Sequence, residues 1–163
     1  MTQTELCADV LNRNFDMLKM TLADFSDADL LVRPCPGANH AAWQIGHLIV
    51  AETRLINGVT PAAMPELPAG FADHFNKETA SKDDPNFFPG KSPLMDQFSK
   101  TRQATVKWVS GLTQADLDKP MSGPVAQRVP TVGHLVMMLP GHVLMHLGQF
   151  QVIRRKLGKP ILF

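Results

Sequence analysis

The chain has 163 residues, 44% of them apolar, and a formal net charge of +1. This length is enough for one domain with a hydrophobic core and too short for two, so we expect a single domain spanning residues 1–163. The only basic cluster, at 154–156, falls in the last turn of a predicted helix, where cations complement the helix dipole. Nothing therefore resembles a nucleic-acid surface. No apolar run reaches the roughly 20 residues of a membrane span.

The two cysteines show no sign of a paired site. Cys7 and Cys35 lack a C-x-x-C spacing, and the N-terminus lacks the basic and then apolar pattern of a signal peptide. We therefore expect a cytoplasmic protein with reduced thiols and without a membrane or nucleic-acid partner.

Four segments show helical periodicity and none shows the alternation of a strand, which predicts an all-α fold. The first helix is predicted from about Thr2 to Phe25, with a capping box formed by Thr2 and Glu5. Its apolar stripe is Leu11, Phe15, Leu18, Leu22 and Phe25. The second helix is predicted from the N-cap Asn39 to about Asn57, which places His47 in its middle.

The third and fourth helices are predicted from proline and glycine signals. Ser92-Pro93 is typical of a cap followed by a first-turn proline, and Gly111 marks the end of the third helix. The fourth runs from about Thr131 to Leu157 and stops at Gly158-Lys159-Pro160. Pro140 lies inside it, and the expected kink either aims the following histidines or bends the helix around the core.

A long crossover is predicted between Gly58 and Ser92. It contains five prolines and few periodic signals. Phe71, Phe75, Phe87 and Phe88 favour a segment that packs on one end of the bundle; the alternative is a plain link between two parallel helices.

An internal repeat supports this layout. Residues 26–30 (SDADL) match residues 113–117 (TQADL), and residues 45–48 (IGHL) match residues 132–135 (VGHL), both at an offset of 87. The repeat predicts two helical halves that pack as a pseudo-symmetric four-helix bundle, with ligands from the two equivalent helices. Only a few identities carry it, so chance is the alternative.

His142 and His146 are four residues apart, which places both on one helix face. An isolated H-x-x-x-H pair is a weak signal, since two polar residues on a partly exposed face look the same. The apolar residues around the pair favour a core position instead, and buried imidazoles need partners. His47, on another predicted helix, completes a set of three.

These residues resemble the DinB-like (DinB/YfiT-like) metalloenzyme family. The resemblance covers nearly the whole chain and rests on a motif before and within the second helix and on a second motif in the last helix. These are Pro34, Pro36, Gly37, Asn39, Trp43, Gly46 and His47, then His142, His146, Gly148 and Gln149. It implies a four-helix bundle with a long crossover between helices 2 and 3 and a divalent ion held by His47, His142 and His146. It also allows a homodimer.

Three neutral imidazoles suit a divalent transition metal, with zinc or nickel expected first, iron as an alternative and copper compatible. Such a set leaves a position open for water or substrate, which favours catalysis over a structural role. The family includes transferases that use low-molecular-weight thiols, so the resemblance implies a small-molecule substrate and the same chemistry for this chain. No catalytic residue is assigned from the sequence.

The other polar residues receive secondary roles. His134 occupies the repeat position of His47 and is expected at the helix start or behind the ligands. Gln149 either orients a bound water or ligand or packs between helices. Trp43 either lines the pocket or is an ordinary core residue. Glu52 lies on a different helix face from His47, so it is not assigned as a general base.

The remaining candidates lie outside the predicted helix interiors. His40 and His74 are expected to be surface or capping residues, and Cys35 a bystander near the second helix.

Two functions remain open. The leading one is a metal-dependent enzyme, a thiol-dependent S-transferase or isomerase. The alternative is a helical bundle that binds a metal or small ligand without turnover, for example in a stress response. Haem binding has no attachment motif to support it.

Overall fold

A computed structural model describes residues 1–162, and the chain is helical throughout its regular structure. The five α-helices are α1 (Gln3–Leu22), α2 (Ala41–Val59), α3 (Lys91–Ser110), the single turn α4 (Gln114–Leu117) and α5 (Val132–Lys156). Within residues 1–162 there is no strand, only an isolated bridge between Pro120 and Thr131. The predicted all-α four-helix bundle is confirmed, and α4 is an addition to it.

The four long helices do not pack in the order of the chain. Helix α1 packs on α3 and α5, and α2 packs on the same two helices. Helices α1 and α5 are parallel, because Cys7 contacts Met137 near their starts and Gln151 donates to Thr21 near their ends. Helix α2, which carries His47, and α5, which carries His142 and His146, are therefore direct neighbours.

Helices α2 and α3 are also parallel. Arg102 pairs with Glu52 near their middles, and Trp108 donates to Thr60 near their ends. Two parallel neighbours can be joined only by a chain that returns along the whole bundle, which explains the long predicted crossover between them.

Side-chain caps fix where the helices begin. Thr2 and Glu5 form the predicted capping box, and Thr131 caps α5 as expected. Two predicted caps are wrong. His40 caps α2 in place of Asn39, and Gly90 is the N-cap of α3 in place of Ser92, although Pro93 lies in the first turn as predicted.

The first helix ends at Leu22, one turn earlier than predicted. The Nζ atom of Lys91 donates to the carbonyls of Leu22, Ala23 and Phe25. These contacts satisfy carbonyl groups that have no partner at the end of the helix. Phe25 is still buried, but in the loop after the helix. The last helix ends as predicted, since Gly158 has φ +68°, which favours glycine.

The crossover packs on α2, as its phenylalanines predict. Phe75 lies so close to Gly46 that a Cβ at residue 46 would be 2.2 Å from its ring. Arg33, in the loop before α2, donates to the carbonyls of Ala80 and Lys82. These contacts hold the crossover against the part of α2 that carries His47.

The internal repeat has a structural counterpart. Ser26 and Asp29 exchange backbone-to-side-chain hydrogen bonds, and Thr113 and Asp116 do the same. The helices that follow do not begin in the same register, because α2 starts at Ala41 and α5 at Val132, 91 residues later rather than 87. His134 therefore lies in the first turn of α5, whereas His47 lies in the middle of α2.

None of the helices within residues 1–162 is both long and apolar enough to cross a membrane.

Candidate metal centre

Three histidines meet between α2 and α5. The ring nitrogens of His47, His142 and His146 lie within 4.8 Å of one another. One turn of α5 separates His142 from His146, and their Nε2 atoms are 3.2 Å apart. Two nitrogens bound to one tetrahedral ion at about 2.0–2.1 Å would be about 3.3 Å apart, so this pair already has the spacing of a ligand pair.

Gln44 orients His146. The amide Nε2 of Gln44 donates to the carbonyl of Asn39 over 2.6 Å, which leaves its Oε1 as an acceptor. That Oε1 lies 2.7 Å from Nδ1 of His146, so the Nδ1 atom carries the proton. The Nε2 atom of His146 is then unprotonated and faces the other two histidines, the arrangement that a metal ligand requires.

Burial keeps all three rings neutral. It is the main cause that lowers the pKa of His146 to about 3 and that of His47 to about 4, and the neighbouring histidines lower both values further. Burial also lowers the pKa of His142. At neutral pH the three imidazoles therefore offer lone pairs rather than protons.

Trp43 forms a wall of the site and links it to the crossover. Its ring stacks on that of His47, with centroids 4.9 Å apart and planes 6° apart. Its Nε1 donates to the carbonyl of Asn76 and to the hydroxyl of Thr79. The crossover thus fixes Trp43, and Trp43 fixes the ring plane of His47.

His40 supports the start of the same helix. The N–H of Trp43 donates to Nδ1 of His40, so its Nε2 is the protonated nitrogen and donates to the carbonyl of Lys82. The ring is fully buried against Phe88, and burial lowers its pKa. Of the two predicted roles, the capping role is confirmed and the surface role is wrong.

Other residues considered from the sequence lie outside the cluster. His134 is exposed, and its Nδ1 lies 2.8 Å from the hydroxyl of Thr131 at the start of α5. His74 is half-buried beside Phe87, and Cys35 is exposed in the loop before α2. Gln149 is half-buried on α5, and no hydrogen bond joins it to the cluster within residues 1–162.

Glu52 belongs to a separate buried group at the interface of α2 and α3. Its carboxylate accepts from Nη2 of Arg102 over 2.9 Å and from the hydroxyl of Thr105. The side chains of Glu52 and Arg102 are 3% and 2% exposed. This agrees with the placement of Glu52 on a different face from His47.

The donor set fits a divalent transition metal. It consists of three neutral nitrogens on two adjacent helices, one of them oriented by an amide, and no carboxylate or thiolate among residues 1–162 joins the group. His47 and His142 are half-buried, whereas His146 is buried. Gln44 was missed by sequence reasoning; its position three residues before His47 on a buried helix was the available signal.

The fold of the chain resembles that of two solved structures. A conserved protein from Enterococcus faecalis superposes with a TM-score of 0.73 at 19% identity, covering 98% of this chain and 99% of that one. YfiT from Bacillus subtilis, described as a probable metal-dependent hydrolase with an unusual four-helix bundle topology, superposes with a TM-score of 0.71 at 15% identity, covering 98% and 91% of the two chains.

The sequence comparisons give the family. None of the curated proteins compared with the chain matches it significantly. The sequence model of the DinB superfamily matches residues 11–150, a stretch that includes His47, His142 and His146. The chain therefore belongs to the DinB superfamily.

Proposed function

We propose that this protein is a metal-dependent enzyme whose divalent transition metal is held by His47, His142 and His146. The observation that carries the proposal is the convergence of three neutral imidazoles within 4.8 Å, one of them oriented by Gln44. Zinc or nickel suits this nitrogen set first, and iron is an alternative. The protein acts as a single domain spanning residues 1–163.

The reaction class that we propose is the transfer or isomerisation of a small molecule with a low-molecular-weight thiol. When bound, the ion supplies a Lewis acid that lowers the pKa of a coordinated thiol. The three ligands are neutral, so they leave the charge of the ion uncompensated and favour an anionic ligand such as a thiolate. Trp43 and Gln44 would hold the ring planes of His47 and His146 at such an ion.

Hydrolysis is the second candidate, because YfiT from Bacillus subtilis is described as a probable metal-dependent hydrolase. A hydrolase with this site would attack with water and would profit from a nearby carboxylate to take the proton. Glu52 is unavailable for that role, since Arg102 and Thr105 engage it. A thiol and a water on the ion can both lose their proton to solvent before attack, so the missing base does not decide between the two candidates.

A binding module without turnover is the remaining alternative. An enclosed ion would favour it, whereas His47 and His142 are half-buried and accessible. This exposure supports an enzyme.

We further propose a cytoplasmic homodimer. Both cysteines are free thiols, as expected in a reducing compartment.

Helix α5 exposes an apolar face formed by Met137, Leu144, Met145 and Val152, each between 45% and 66% exposed. A second copy of the chain would cover this face. Light scattering on wild type and Leu144→Glu tests the dimer, which the charge should dissociate; a monomeric wild type would contradict it.

The experiment for the enzymatic proposal is turnover. Protein loaded with zinc, nickel or iron would be assayed with several small thiols against epoxide, aryl halide and maleyl electrophiles, with ester hydrolysis in parallel. Metal-dependent thiol conjugation or isomerisation that is lost in His142→Ala and kept in His134→Ala would support the proposal. Ester hydrolysis alone would favour the second candidate, and no metal-dependent turnover in any assay would favour the binding module.

A further inference from the structure

The approach to the three histidines is closed on one side by the crossover. Trp43, one turn before His47, stacks on that ring and is bonded to Asn76 and Thr79. The Oε1 atom of Gln44 accepts a hydrogen bond from Nδ1 of His146, the ring nitrogen that does not face the other two histidines. A ligand that extends beyond the metal position and avoids these groups can run along α2 towards its C-terminal end.

In that direction α2 presents a small residue and then a cation. Ala51 and Arg54 follow His47 by four and seven residues, which places all three on one helix face. Ala51 is half-buried and has a small side chain, and Arg54 is exposed. Seven residues of helix span about 10 Å, the length of a small peptide-like molecule.

The side chain of Arg54 makes no hydrogen bond and no ion pair within residues 1–162. The same holds for Arg128 and Arg155, whereas the other four arginines, Arg13, Arg33, Arg102 and Arg154, each pair with a carboxylate. A guanidinium in this state can bind a carboxylate in the bidentate geometry that the side chain favours.

Arg54 also lines a cavity. The cavity has a volume of about 380 Å³ and lies between the last turns of α2, the loop at 119–125 and the start of α5 at Val132. The charged side chains in its wall are those of Arg54 and Lys119, and Lys119 is already paired with Asp116 over 2.7 Å. Ser122 adds a hydroxyl. The cavity therefore presents one uncompensated positive charge and no acidic group.

We propose that Arg54 is a specificity-determining residue that binds the carboxylate end of an anionic thiol, while the thiol sulfur occupies the metal between α2 and α5. The proposal rests on the proposed function and adds the substrate class: an extended thiol with a carboxylate about 10 Å from its metal-binding sulfur along the helix face.

The test uses glutathione and its diethyl ester, which have the same length and differ in their two carboxylates. Purified protein is loaded with Co²⁺, whose absorption changes when a thiolate binds, and each thiol is titrated against wild type, Arg54→Gln and Arg155→Gln. Arg155 is the matched control, since it is exposed on α5 and unpaired among residues 1–162. Circular dichroism confirms that the three proteins are folded.

We expect wild type to bind glutathione more tightly than the diester. Arg54→Gln should weaken the binding of glutathione about tenfold and leave that of the diester unchanged, and Arg155→Gln should change neither. Equal losses for both thiols, or no loss in Arg54→Gln, would overturn the role of Arg54 while leaving thiol binding at the metal intact. If neither thiol changes the cobalt spectrum of wild type, the proposed function fails and the role of Arg54 fails with it.

Discussion

At the scale of single residues, Gln44 orients one of the three clustered histidines. It holds His146 in the tautomer that turns an unprotonated Nε2 towards His47 and His142. Partners of this kind change metal affinity by about 10- to 100-fold when they are removed. Gln44→Leu should therefore weaken zinc binding by that amount, as measured by competition with a chromogenic chelator.

The control for this prediction is Gln103→Leu, the same substitution at an exposed position of α3. It should leave the affinity unchanged. Equal affinities of Gln44→Leu and wild type would show that His146 needs no orienting partner.

The buried His40 predicts a pH dependence of stability. Burial lowers its pKa in the folded protein below the ordinary value of 6.5, so the unfolded chain binds a proton that the folded chain resists. The contribution of neutral His40 to stability is present above pH 6.5 and is lost as the pH falls below it. In His40→Asn, which keeps a capping side chain, the free energy of unfolding should fall less between pH 7.5 and pH 5 than in wild type.

Urea denaturation of metal-free protein at the two pH values measures this difference. His47 and His146 add pH dependence of the same sign to both proteins, so the comparison isolates His40. An identical pH dependence in the two proteins would mean that folding does not lower the pKa of His40.

At the scale of the elements, the contact between α2 and the crossover depends on Gly46. A Cβ there would lie 2.2 Å from the ring of Phe75, so Gly46→Ala must displace Phe75 and the segment that carries it. Overpacking of this kind costs about 1–3 kcal/mol of the free energy of unfolding. Chemical denaturation measures it.

Gly141→Ala is the matched control for this substitution, because an added Cβ at that helical position meets nothing within 4 Å. There alanine should stabilise the protein by up to about 1 kcal/mol, through its higher helix propensity. A stabilised Gly46→Ala variant would show that the crossover does not pack against α2 at this point.

The interface between α2 and α3 contains the buried pair of Glu52 and Arg102. Removing the guanidinium in Arg102→Met leaves a buried carboxylate without its charged partner, which costs about 3–5 kcal/mol. The double variant Glu52→Gln, Arg102→Met removes both charges and should recover a large part of that loss. Urea denaturation of the single and double variants measures the coupling, and additive losses would contradict a direct pair.

At the scale of the whole molecule, the sequence predicts the helices and the three histidines because each has a local signal. The spacing of His142 and His146 is one helical turn, and the stop at Gly158 follows from the conformation that glycine favours. His47 lies in the middle of a second predicted helix, and the resemblance to the DinB-like family implies the same three histidines. The structure brings all three together between α2 and α5.

The features that the sequence did not predict depend on residues far apart in the chain. Gln44 meets His146 across 102 positions, and Arg102 meets Glu52 across 50. A charged or amide side chain on a helix is expected at the surface unless its partner is known. The sequence therefore assigns no buried role to Gln44 or Arg102. His134 matches His47 in the repeat, but α5 begins in a different register. His134 therefore lies in the exposed first turn of α5, the helix-start position that was expected for it.

The central claim is that His47, His142 and His146 hold one metal ion, and metal content tests it most directly. Elemental mass spectrometry would be applied to untagged wild type and to His47→Ala, His142→Ala, His146→Ala and His134→Ala after each is shown to be folded. We predict near-stoichiometric metal in wild type and in His134→Ala, and its loss in the other three variants. A folded wild type that stays free of metal after reconstitution with zinc, nickel and iron would contradict the claim.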